Sequence, residues 1–150
     1  MDFKEILTAF TAEAGLDDGP IIEDGACHLE IDGRDVGFME IDGGRRMVVW
    51  TAISPCPVDR REAFLLLLLR ANFMERMLPE GAFSLSDDDI VYAHSTFALP
   101  VYEKEDFYRR LRSLLDAVKE WGRLAEAYGR TVGPNSEPDA ESIETQWVRV

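Results

Sequence analysis

The chain has 150 residues, 46% of them hydrophobic, with 29 acidic against 16 basic side chains and a net charge of −13. That length supports one core-bearing domain rather than two, and the charge opposes phosphate backbones and anionic lipid, so neither nucleic acid nor membrane insertion is expected. Two cysteines, Cys27 and Cys56, are too few for a disulfide framework, and the charged opening MDFKEILTAF lacks the form of a secretory leader, so a cytoplasmic protein is expected.

Phe3, Ile6, Leu7, Phe10 and Ala14 follow the i, i+3, i+4, i+7, i+11 spacing of an amphipathic helix, with Asp2 as cap and Gly15 as stop. Three strand-like runs follow, over 26–31, 34–41 and 46–53. They are separated by Asp32-Gly33 and Asp42-Gly43-Gly44, turns whose central residues need positive φ. This predicts an antiparallel meander. Met47, Val48, Val49 and Trp50 are apolar on both faces, which places the third strand inside the sheet.

The middle of the chain is AFLLLLLRANFMERML, 63–78. Its expected start is Asp59 as N-cap with Glu62 in a capping box, and its expected stop is Pro79. At about 100° per residue, Ala63, Phe64, Leu67, Ala71, Met74 and Leu78 form one apolar stripe, the core face. Leu65, Leu66, Leu69, Phe73 and Met77 form a second, interleaved with Glu62, Arg70 and Arg76. Either a third layer of this chain or a second copy of it covers that stripe. Arg70 interrupts the apolar run well short of the ~18 residues of a membrane span. Two strands over 82–86 and 90–99 then flank the turn Asp87-Asp88-Asp89. A long helix after Pro100 carries Phe107, Leu111, Leu114, Leu115, Val118, Trp121 and Tyr128 to a stop at Gly129. Residues 130–150 read as a flexible acidic tail ending in the apolar WVRV, so the domain is 1–129.

No phosphate-binding loop is present. Cys27, His28, Cys56 and His94 are poor zinc ligands, because neighbours on a strand point to opposite faces. Cys27 and His94 could in principle form a nucleophile–base pair, and a small buried thiol and an ordinary strand histidine are the simpler reading. The acidic turn reads as a solvated hairpin tip. No cofactor, no metal and no enzymatic activity are expected, and the surplus of apolar surface points to a binding protein.

Several stretches carry a family resemblance: LEIDGRDVGFMEID, then LLLRANF, then GAFSLSDDDIVYAHSTFAL, then a final helix with Trp121. In this order, on a small acidic chain from Phe3 to Tyr128, they resemble the class I chaperones of bacterial type III secretion, the Tir-chaperone or CesT-like group. ERMLPEGAF departs from the pattern in holding one glycine where relatives often have several, and the tail after Gly129 is an addition. The resemblance implies an α+β fold of helix, three-strand antiparallel meander, helix, two-strand hairpin and helix, forming a homodimer through the middle helix. It also implies binding, without ATP, of an extended segment near the N-terminus of a secreted effector. On that footing Leu65, Leu66, Leu69, Phe73 and Met77 are the expected dimer seam, and Met39, Val48 and Trp50 the expected effector contacts. The alternatives are a regulatory adaptor of the same fold that sequesters a secretion-gene regulator, a YbjN-like structural domain, and an enzyme dependent on Cys27.

Overall fold

The computed structural model describes residues 1–16, 18–75 and 77–130, so Asp17, Arg76 and the expected tail beyond Arg130 lie outside the described residues. Helix α1 spans Phe3–Glu13. Asp2 accepts from the Glu5 amide and donates its own to the Glu5 carboxylate, both at 2.9 Å. Each bond takes up a backbone group that a bare helix start leaves orphaned. Asp2→Ala should therefore lower stability by about 1 kcal/mol, read as a shift of the urea unfolding midpoint with an unchanged slope.

Strands β1 (Ala26–Ile31), β2 (Arg34–Ile41) and β3 (Arg46–Pro55) form the meander, and β4 (Gly81–Leu85) and β5 (Ile90–Ala98) the second hairpin. The sheet is antiparallel in the order β1-β2-β3-β5-β4, which puts β3 at its centre as its two apolar faces demand. Asp32 and Gly33 both take positive φ, as do Asp42, Gly43 and Gly44. The turn reading therefore holds on the dihedrals themselves.

All three helices lie on one face of the sheet. Val36, Phe38, Met47, Val49, Val91 and Phe97 point into a core with Ile6 and Leu7 of α1, and with Phe107, Leu114 and Val118 of α3 (Lys104–Gly129). At 26 residues, α3 is about 39 Å long, enough to cross the whole sheet. Trp121 is its anchor, with its ring 4.7 Å from Phe83 and 6.2 Å from Phe64.

Helix α2 departs from the sequence expectation at both ends. It spans Arg61–Ala71, where an Asp59 cap and a Pro79 stop would give 60–78. Asp59 does not cap it: the preceding residue is Arg60, left-handed at φ 54°, with no side-chain cap bond. The Arg60 guanidinium lies 4.3 Å over the Tyr128 ring, a cation–π contact that holds the chain in a conformation costing about 1–2 kcal/mol. The helix stops at Asn72, well before Pro79. The Asn72 amide leaves the helix surface to bond β4, accepting from the Phe83 amide at 2.7 Å and donating to the Phe83 carbonyl at 2.9 Å. A single turn of 3-10 helix, Phe73–Glu75, follows, with Met74 left-handed at φ 54°.

The early stop redraws the stripes. Phe64, Leu67, Leu68, Ala71 and Leu78 are buried, whereas Ala63 and Met74, placed on the core face from the sequence, are exposed. A continuous helix from 63 to 78 would have kept Met74 in phase. The break at Asn72 rotates it outward.

Candidate binding surfaces

With the core stripe satisfied, α2 presents the rest of its apolar side chains to the outside. Leu66 is 48% exposed, Leu69 68%, Phe73 58% and Met74 78%, while Leu65 and Met77 are half-buried against the core. Each large side chain left in water forgoes about 1.5–3 kcal/mol of burial, and a contiguous patch of this kind marks an interaction surface.

The second apolar surface is the sheet face away from the helices. Met39 pairs with Val48, and Val48 with Thr96; one step along, His28 pairs with Gly37, Gly37 with Trp50, and Trp50 with His94. Directly opposed residues share a face, so the structure brings Met39, Val48 and Trp50 together at the centre of the open side. Met39 is 39% exposed and the other two are half-buried. The indole of Trp50 lies flat across Gly37. A Cβ at that glycine would sit 2.3 Å from two of its ring carbons. Trp50 thereby reaches His28 edge-on at 5.5 Å, and His28 is held from its other side by Asp35, 3.0 Å from Nδ1. A glycine inside a strand is a signal of close approach, and it was the available clue to this arrangement.

The sheet has two ends, and they differ. At β1 the Glu40 amide donates to the Gly25 carbonyl at 2.8 Å. Antiparallel alternation then turns the backbone of Cys27, Leu29 and Ile31 toward β2, and that of Ala26, His28 and Glu30 outward. Ala26 exchanges both bonds with Glu23, at 2.9 and 2.8 Å. His28 and Glu30 are left facing out, and no strand among the described residues takes them up. Beneath the end of this edge lies a groove of about 290 Å³ between α1, the β1–β2 turn and α3, floored by Phe10, Ile31, Leu111 and Leu115 beside Tyr108. Its rim carries Glu13, which pairs with Lys104 at 2.5 Å, and Lys119 with Asp32, at 3.3 Å. Burial, then the Glu13 carboxylate, pushes the Tyr108 phenol up, so the ring adds no charge to the floor.

Cys27 and His94 are not brought together. Cys27 is buried on the helix side of β1, and His94 lies on the open side of β5 with β2 and β3 between them. Burial pushes both the Cys27 and the Cys56 thiols up, which leaves less of the reactive thiolate. Among the described residues no three His, Cys, Asp or Glu side chains gather as a metal site would need, and no helix is long and apolar enough to cross a membrane.

Three helices on one face of a five-stranded antiparallel sheet, in this element order, make the fold of the type III secretion chaperones. The ExsC–ExsE complex matches over 83% of this chain and 97% of that one, with a TM-score of 0.70 at 19% identity. The Yersinia pestis type III secretion chaperone SycH, in complex with a stable fragment of YscM2, matches over 79% and 98%, with a TM-score of 0.64 at 19% identity. The heterodimeric ExoU–SpcU complex from the type III secretion system of Pseudomonas aeruginosa matches over 83% and 98%, with a TM-score of 0.64 at 15% identity. The chain belongs to the Tir chaperone protein (CesT) family, whose model matches residues 5–122. Comparison with curated protein sequences finds no match.

Proposed function

We propose that this protein is a cytoplasmic, non-enzymatic chaperone that dimerises through α2 and binds an extended segment near the N-terminus of a type III secretion effector, keeping it export-competent without ATP. The observation that carries the reading is the uncovered apolar centre of the open sheet face: Met39, Val48 and Trp50, with Trp50 spread over Gly37. An extended chain laid there buries alternate side chains, and the outward backbone of His28 and Glu30 offers it main-chain hydrogen bonds at the β1 edge. Such a segment stays unfolded because it is never given a core of its own. The α2 row of Leu65, Leu66, Leu69, Phe73 and Met77 is a separate surface, and a second copy of the same row covers it about a two-fold axis.

The test is capture of the tagged full chain from its source cells under secretion-inducing conditions, followed by limited proteolysis. The expected result is one larger protein protected only near its N-terminus. Trp50→Ala with Met39→Ala should weaken its capture at least about tenfold, equivalent to ~1.4 kcal/mol, without changing the unfolding midpoint enough to depopulate the fold. Undiminished capture by the double variant removes these residues from the site. A transcriptional regulator captured in place of an effector moves the reading to an adaptor that sequesters it.

A further inference from the structure

At the β4 end of the sheet a side chain, Asn72, takes up strand backbone. At β4 the Thr96 amide donates to the Glu80 carbonyl at 2.7 Å, and the Ser86 amide to the Ile90 carbonyl at 2.9 Å. Alternation then turns Ala82 and Ser84 toward β5, and Gly81, Phe83 and Leu85 outward. Unpaired outward groups of this kind are a template for another chain's strand. Here three of the six outward groups are taken, including both at the middle of the strand: the Gly81 amide donates to the Leu78 carbonyl at 2.9 Å, and Asn72 bonds both the amide and the carbonyl of Phe83. A carboxamide that accepts from the N–H and donates to the C=O of one residue does what the opposing residue of a bonded antiparallel pair does. The same residue ends α2, so the helix stop and the edge bonds are one event.

We propose that Asn72 stands in for the opposing residue of a sixth strand at the middle of the β4 edge, blocking edge-to-edge pairing with β4 of a second copy of this chain and so favouring β1 for strand addition. That β1 receives an effector segment rests on the function proposed above. The block at β4 does not, and its test uses no effector.

The test measures hydrogen–deuterium exchange of the Phe83 and Leu85 amides in the full chain, and sedimentation over a range of concentrations. In the wild-type protein the Phe83 amide should exchange at least about tenfold more slowly than the Leu85 amide, one factor of ten for a hydrogen bond of ordinary net strength. Asn72→Leu, close in volume but without donor or acceptor, should erase that difference and add concentration-dependent association beyond the wild-type state. Leu85→Pro in the Asn72→Leu background should reverse the association, because the Leu85 amide faces outward and a proline there blocks the edge without removing a bond to β5. Equal exchange at Phe83 and Leu85 in the wild type overturns the proposal before any variant is made. Asn72→Leu that folds without further association, or associates regardless of Leu85→Pro, overturns it as well.

Discussion

Leu69→Glu should yield a soluble monomer in place of the proposed dimer. Leu69 is 68% exposed and stands in the middle of the α2 row, with Leu66 a turn before it and Phe73 a turn after it. In the free protomer a glutamate at that position is solvated and compatible with the helix, since straight-chain residues lose little freedom there. The core beneath, Phe64, Leu67 and Leu68, is not touched. In a two-fold interface the same substitution enters twice and sets two carboxylates against apolar side chains, a desolvation penalty of several kcal/mol per ion with no counter-charge supplied. That penalty, together with the burial of Leu69 lost in both copies, falls on an association whose net free energy is only the surplus left after the cost of bringing two chains together. Sedimentation or light scattering should give the mass of one chain, with a far-ultraviolet circular dichroism spectrum unchanged from the wild type. A dimer of unchanged mass would place the interface elsewhere.

Gly37→Ala should fold and yet lose the open-face site. The new methyl would fall 2.3 Å from Cε2 and Cζ2 of Trp50, well inside van der Waals contact. The backbone of β2 is fixed on both sides, by β1 at His28 and by β3 at Trp50, so the indole is the part that must move. Swinging it off the sheet forfeits its packing on Gly37 and its edge contact with His28, with a cost of about 1–3 kcal/mol for an overpacked site. The apolar platform shared with Met39 and Val48 goes with it. The expected results are a shifted Trp50 indole N–H resonance, a modest fall in unfolding midpoint, and capture of the effector segment reduced as far as in the Trp50→Ala, Met39→Ala variant. An unshifted indole resonance would mean that β2 gives way instead, and full capture with a displaced indole would remove Trp50 from the site.

Much of the fold is written locally. The strand-like runs and the Asp-Gly turns marked β1, β2 and β3 from short-range sterics: positive φ is cheap for glycine and tolerated by aspartate, and the two-residue turn between β1 and β2 sets their register. Asp2 and Glu5 capped α1 because both partners lie within one turn of each other. The doubly apolar run through Val48 and Trp50 correctly made β3 central. The order of elements and the chaperone resemblance were legible for the same reason, since both are patterns along the chain.

The α2 region was decided elsewhere. Its five leucines carry no phase of their own, so the helix is placed by what it meets: Tyr128 of α3 under Arg60 at one end, and Phe83 of β4 bonded to Asn72 at the other. Both partners are distant in sequence, and both win over local signals, the Asp59–Glu62 box and Pro79. An asparagine directly after the last helical turn is a recognised stop, yet nothing local gives it priority over a proline seven residues on. Pairing of Gly37 with Trp50, and the bonds that Asn72 makes to the β4 edge, likewise arise only when separate parts of the chain are set side by side. The sequence by itself determined which segments are strands and helices, because those choices are settled by dihedral preference and periodicity within a few residues. Only the tertiary structure decided where α2 ends, which apolar side chains remain outside, and which sheet edge Asn72 bonds, because each depends on hydrogen bonds and packing between residues that the chain alone keeps apart.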